Sequence, residues 1–133
     1  MSEVRLVSSM EGPDGAPVLI LANPIGTTRA IWDAQARVLR DDYRLHGTDP
    51  VGYAGCGEAI AGMDLRPALA AIKAPTLVIS GAEDQAAPPW QGAMTAAGIA
   101  DSRLRVIRGT SHLAPYQTPG PVTAAIRAHL AAS

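Results

Sequence analysis

The sequence predicts an α/β fold with a mostly parallel sheet of four or five strands flanked by helices, and three stretches carry that prediction. Residues 75–80 form an apolar run that stops at Ser80-Gly81, after which a short loop holds two acids, Glu83 and Asp84. Residues 102–108 make a second strand, followed by Gly109-Thr110-Ser111-His112. Residues 17–22 are continuously apolar between turn residues, the pattern of a central strand buried on both faces. In an open α/β sheet, ligands bind in the crevice beyond the carboxyl ends of the strands. A strand ending in an acid and a later strand ending in a histidine therefore make a candidate pair.

Taken in order, residues 4–9 suit a short edge strand, and Gly12-Pro13-Asp14-Gly15 is a cluster of turn formers. After the strand at 17–22 come Asn23-Pro24-Ile25-Gly26-Thr27 and a helix over 29–40, with Ile31, Trp32, Ala34, Val38 and Leu39 on its apolar face. The first turn of a helix leaves its amide donors unpaired. The Ile25 amide and Gly26 thus form either an anion-binding notch or an ordinary loop.

Residues 42–47 read as another strand, and 48–57 are dense in glycine and small residues. Asp64 can cap a short helix over 65–72, with Pro67 near its first turn, where a missing N–H costs little. Pro88-Pro89 opens a helix to about Ala97. A last helix over 121–132 places Val122, Ala125, Ile126 and Leu130 on one face. With no repeat or linker, residues 1–133 read as a single domain.

Composition narrows the function classes. Apolar residues make up 47% of the chain and aromatics 4%, with no phenylalanine, so the core must be packed from Ala, Leu, Ile and Val. A net charge of −1 and dispersed arginines offer no nucleic-acid or anionic-membrane surface. Cys56 stands alone, so it has no disulfide partner within the chain, and no Cys/His spacing suggests zinc. No metal or cofactor is expected. No stretch reaches membrane-spanning length, and the first residues lack a basic and apolar leader, which points to the cytoplasm.

Several motifs jointly resemble the α/β-hydrolase family, and within it the 3-oxoadipate enol-lactonases. They are Asn23-Pro24-Ile25-Gly26-Thr27 ahead of Ile31-Trp32-Asp33, Gly52-Tyr53-Ala54-Gly55-Cys56, Asp64-Leu65-Arg66-Pro67, the run from Ala74 to Asp84, and Ser111-His112-Leu113. The resemblance covers nearly the whole chain in two blocks joined near His46 to Asp49. It implies that Asp84 is the acid of a catalytic triad, His112 its general base, and the Ile25 amide an oxyanion donor.

The family's G-x-S-x-G turn, which exposes a nucleophilic serine above the sheet, is missing. Ser2, Ser8, Ser9, Ser80, Ser102, Ser111 and Ser133 all lack the paired glycines. Cys56 sits directly between Gly55 and Gly57, a different spacing. It is either a substitute nucleophile or, more simply, a small apolar residue in a turn. By the resemblance, two central strands and most of a cap are missing at the junction. With strands about 4.8 Å apart, that is a gap on the order of 10 to 15 Å. Either the strand at 17 pairs directly with the strand at 75, or two chains complete each other as a homodimer.

Two functions follow from this reading. One is a lactone or ester hydrolase, impaired by the missing serine. The other is a non-catalytic remnant that binds a small lactone or carboxylate or associates with itself. Trp32 and Trp90 are expected to serve as core or rim packing, and His46 and His129 to sit in solvent.

Overall fold

The computed structural model describes residues 8–22, 24, 27–48 and 63–132. They fall into two compact units, Met1–Met63 and Asp64–Ser133. Their strands number five and are mostly parallel, as the sequence predicts, but they form a three-stranded and a two-stranded sheet.

In the first unit, β1 (Ser8–Glu11), β2 (Val18–Leu21) and β3 (Arg44–Thr48) pair in the order β1-β3-β2. β3 runs antiparallel to β1 and parallel to β2. Parallel neighbours need a crossover, and a 3-10 turn at Arg29–Trp32 leading into α1 (Asp33–Leu39) provides it. The turn before β2 depends on Gly12, whose φ of +108° suits glycine and whose added Cβ would lie 2.3 Å from the Tyr43 carbonyl oxygen. Arg44, at the start of β3, pairs with Asp14 in that turn.

Burial follows the two periodicities. The register Leu19↔Leu45 and Leu21↔Gly47 sets these residues on one face of the sheet, where Leu21, Leu45 and Gly47 are buried. Ile31, Gln35 and Leu39, four residues apart, form the buried stripe of the helical segment. The expected stripe included Val38, which is exposed.

The run at 17–22 is corrected in two respects. β2 stands at the edge of its sheet, with β3 in the centre, and Val18 and Ile20 are 62% and 63% exposed. An apolar run constrains what a strand can tolerate, not which neighbours it obtains.

In the second unit, a 3-10 helix (Arg66–Ala71) precedes β4 (Thr76–Gly81), α2 (Pro89–Gly98), β5 (Ser102–Ile107), a short α3 (Ala114–Gln117) and α4 (Pro119–Leu130). Asp64 accepts the Arg66 backbone N–H at 3.0 Å and pairs with the Arg66 guanidinium, which holds its carboxyl down at about 2. The short helix it leads into is a 3-10 helix. β4 and β5 pair in parallel from Thr76↔Ser102 to Gly81↔Ile107. β4 is half-buried from Thr76 to Ile79 and buried only at Ser80 and Gly81. α2 packs closely on it, because a Cβ on Gly92 would meet Ser80 Oγ at 2.1 Å. On α4, Val122 is buried and Ala125, Ile126 and Leu130 are half-buried, the face the sequence predicts. Trp90 is 60% exposed on α2, so of the two expected roles, core or rim packing, the core is excluded. No helix among the described residues is long and apolar enough to cross a membrane.

Leu39→Ala, at a fully buried position, is expected to lower unfolding free energy by about 2–5 kcal/mol. Ile20→Ala, on the open face, is expected to change it by no more than about 0.5 kcal/mol. Urea titration of the two variants checks the contrast, and equal losses would contradict the assignment of faces.

Candidate active site

Parallel pairing of β4 with β5 puts the carboxyl ends of both strands at one end of the second unit. The loop after β4 carries Asp84 and the loop after β5 carries His112. Gly81 lets the second loop lie on the first strand. A Cβ there would stand 2.3 Å from the Ser111 carbonyl oxygen and 2.7 Å from that of Thr110. Backbone bonds fasten the approach: the Ala82 N–H donates to Ile107 O at 2.8 Å and the Glu83 N–H to Thr110 O at 3.0 Å. The Glu83 side chain accepts the Gly109 N–H at 3.1 Å, so of the two neighbouring acids Glu83 ties the loops together.

Asp84 faces inward at 8% exposure. Its Oδ1 accepts the backbone N–H groups of Ala86 and Ala87, both at 2.9 Å, and its Oδ2 lies 3.0 Å from His112 Nδ1. The Ala87 amide is the main influence holding the carboxyl below its usual range. Burial opposes it, and His112 and the Ala86 amide add to the lowering. An ionised carboxylate has no proton to give, so Nδ1 must donate. Nε2 then keeps the ring's lone pair, on a side chain that is 58% exposed. A buried anion thus orients an accessible imidazole, the arrangement general-base chemistry requires.

A further side chain holds the histidine loop. Gln117 Oε1 accepts the Ser111 N–H at 2.9 Å, Ser111 Oγ at 3.0 Å and Thr110 Oγ1 at 3.1 Å. Sequence reasoning missed Gln117, which has no local signature. It also missed the Ala86 and Ala87 amides, although an aspartate accepting from residues just ahead of it is a familiar turn pattern. Ile25, Gly26 and Cys56 lie outside the described residues. On either side of the first two, the Thr27 N–H and Oγ1 both donate to Pro24 O, at 3.1 and 2.8 Å. His46 and His129, expected in solvent, are both half-buried. Among the described residues, no three His, Cys, Asp or Glu side chains gather as a metal site.

No family model matches the chain. Over 77 residues, 58% of this chain, it is 38% identical to 3-oxoadipate enol-lactonase 2 of Acinetobacter baylyi, and the match spans 28% of that protein's length. The enol-lactonase from Burkholderia xenovorans LB400 superposes with a TM-score of 0.82 at 16% identity, covering 95% of this chain and 96% of the other. An α/β hydrolase from a sediment metagenome of the Mar Chica lagoon, Morocco, gives 0.74 at 12% identity, covering 96% and 95%. The chain therefore has a reduced α/β-hydrolase fold, and the resemblance read from its motifs is supported.

A carboxyl whose pKa drops on folding stabilises the native state above its unfolded value of about 3.9, and that contribution is lost as pH falls through the folded value. Asp84→Asn is accordingly expected to lower the urea midpoint relative to wild type at about pH 6, with the gap closing below about pH 4. A gap that stays constant to about pH 2.5 would contradict the assignment.

Proposed function

We propose that this chain is a hydrolase of lactones or carboxylic esters resembling 3-oxoadipate enol-lactonase, with Asp84 orienting His112 as the general base. The observation that carries the reading is the 3.0 Å contact between Asp84 Oδ2 and His112 Nδ1, which leaves Nε2 free to take a proton. Kinship with an enol-lactonase over 77 residues supports it from the sequence side. The substrate is a small lactone or ester, and the reducing cytoplasm suits a protein with one cysteine.

In this reading water is the nucleophile, taking the place of the family's serine. His112 Nε2 removes a proton as the water oxygen bonds to the ester carbonyl carbon, and the carbonyl electron pair moves to oxygen. The Asp84 carboxylate stabilises the imidazolium so formed. When the tetrahedral species collapses, the C–O bond to the leaving group breaks and the imidazolium returns its proton to that oxygen. One ester and one water become one carboxylic acid and one alcohol, or a single ring-opened acid from a lactone. The Ile25 amide and Gly26 are the proposed oxyanion donors, and Cys56 is the alternative nucleophile. Without the G-x-S-x-G serine the rate is low, since loss of that residue removes most of the family's acceleration and leaves a residual of about 10³ to 10⁴ over water.

A second reading, a self-associating remnant, draws on the open face of the first sheet. Met10, Val18 and Ile20 are 58%, 62% and 63% exposed, and β2 is an edge strand. Exposed apolar edges pair with other chains, and the partner proposed is a second copy of this chain.

Hydrolysis of p-nitrophenyl acetate tests the first reading. Wild type is expected to exceed buffer, and His112→Ala to lose at least about tenfold of the excess. A wild type no faster than buffer, or a variant equal to wild type, would sink it. Light scattering tests the second reading, which expects twice the monomer mass and fails on a clean monomer.

A further inference from the structure

We propose that Gln117 is a positioning residue for His112, fixing the ring against Asp84 through the backbone that carries it. This rests on the reading of Asp84 and His112 as an acid–base pair and goes beyond it by naming the side chain that holds the pair in register. The His112 ring is held at Nδ1 by Asp84 Oδ2, and its side chain is 58% exposed. The two residues before it, Thr110 and Ser111, converge with three donor groups on Gln117 Oε1, at 2.9 to 3.1 Å. One of those donors, the Ser111 backbone N–H, can only donate, so the Gln117 atom facing it has to be the oxygen. That settles the orientation of the amide.

The position of Gln117 in the chain makes it effective. It closes α3, five residues after His112, and its own N–H donates to Leu113 O at 2.9 Å. The side chain thus reaches back over the turn it terminates and closes a ring around His112. On the other side, the same loop rests its Thr110 and Ser111 carbonyl oxygens against Gly81, which is buried in β4. Residues 110 and 111 are therefore gripped from two directions. Removing the Gln117 acceptor releases one side and leaves the Thr110 hydroxyl, on a residue 3% exposed, without its bond. Three donors crowd one amide oxygen, whereas a carboxylate offers two oxygens and more lone pairs. Glutamate therefore satisfies the same cluster, while leucine cannot, and asparagine is one methylene too short.

The readout independent of turnover is the tautomer of His112, from the 15N shifts of its ring nitrogens in the full chain. Wild type is expected to hold the Nδ1–H form. Gln117→Leu and Gln117→Asn are expected to shift the ring toward the Nε2–H form that predominates in free imidazole side chains, and Gln117→Glu to restore Nδ1–H. Wild-type tautomer in both Leu and Asn variants would overturn the proposal. Gln117 is itself exposed, so folding is expected to survive, and circular dichroism verifies it for each variant.

If wild type hydrolyses p-nitrophenyl acetate, Gln117→Leu is expected to lower kcat about tenfold with KM within about twofold, since misplaced catalytic groups cost rate before binding. In a His112→Ala background the same substitution is expected to change nothing further. An equal additional loss in that background would mean a general structural role and would also overturn the proposal. Absence of hydrolysis with the tautomer result intact would defeat only the hydrolase reading.

Discussion

The parallel ladder between β4 and β5 is the constraint on which the site depends. Side-by-side strands running the same way deliver both of their carboxyl ends to one place, so residues 28 positions apart in the chain become neighbours. An antiparallel pairing of the same two strands would have sent one loop to each end. The crossover that permits the parallel arrangement is α2, and it sits tightly on β4 because Gly92 presents no side chain to Ser80. Gly81 then allows the second loop to settle on the end of the first strand.

Electrostatics at the pair follow from how the Asp84 oxygens are shared. One is occupied by two backbone amides of its own loop, which both anchors the carboxylate and keeps it ionised. The other is left for the imidazole, and its demand for a donor decides which ring nitrogen carries the proton. The carboxylate is buried and the imidazole is exposed, so the ring is oriented from inside the unit and remains accessible from outside it.

The first unit shows the same economy with a different outcome. One face of its sheet carries the buried Leu21, Leu45 and Gly47, and Ile31, Gln35 and Leu39 of the helical segment are buried as well. The opposite face keeps Met10, Val18 and Ile20 in solvent. Strands this apolar on both sides commonly lie inside larger sheets. Among the described residues, β2 has a neighbour on one side only, within a three-stranded sheet.

Much of this was legible in the residues alone. Apolar runs at 17–22, 75–80 and 102–108, each bounded by turn formers, marked the strands, and the acid and histidine after the last two marked the pair. Local chemistry is enough there, because a strand's propensity and a turn's dihedral needs belong to a few adjacent residues. Which strands pair, and which therefore lie at an edge, depends on partners far away in the chain, so β2 could be recognised as a strand but not as an edge. The same holds for the Gln117 cluster and for Gly81, whose importance arises only when a distant loop is laid against them. Residue types determined what chemistry was available to this protein; the parallel register of two strands decided that an aspartate and a histidine far apart in the chain would stand 3.0 Å from each other.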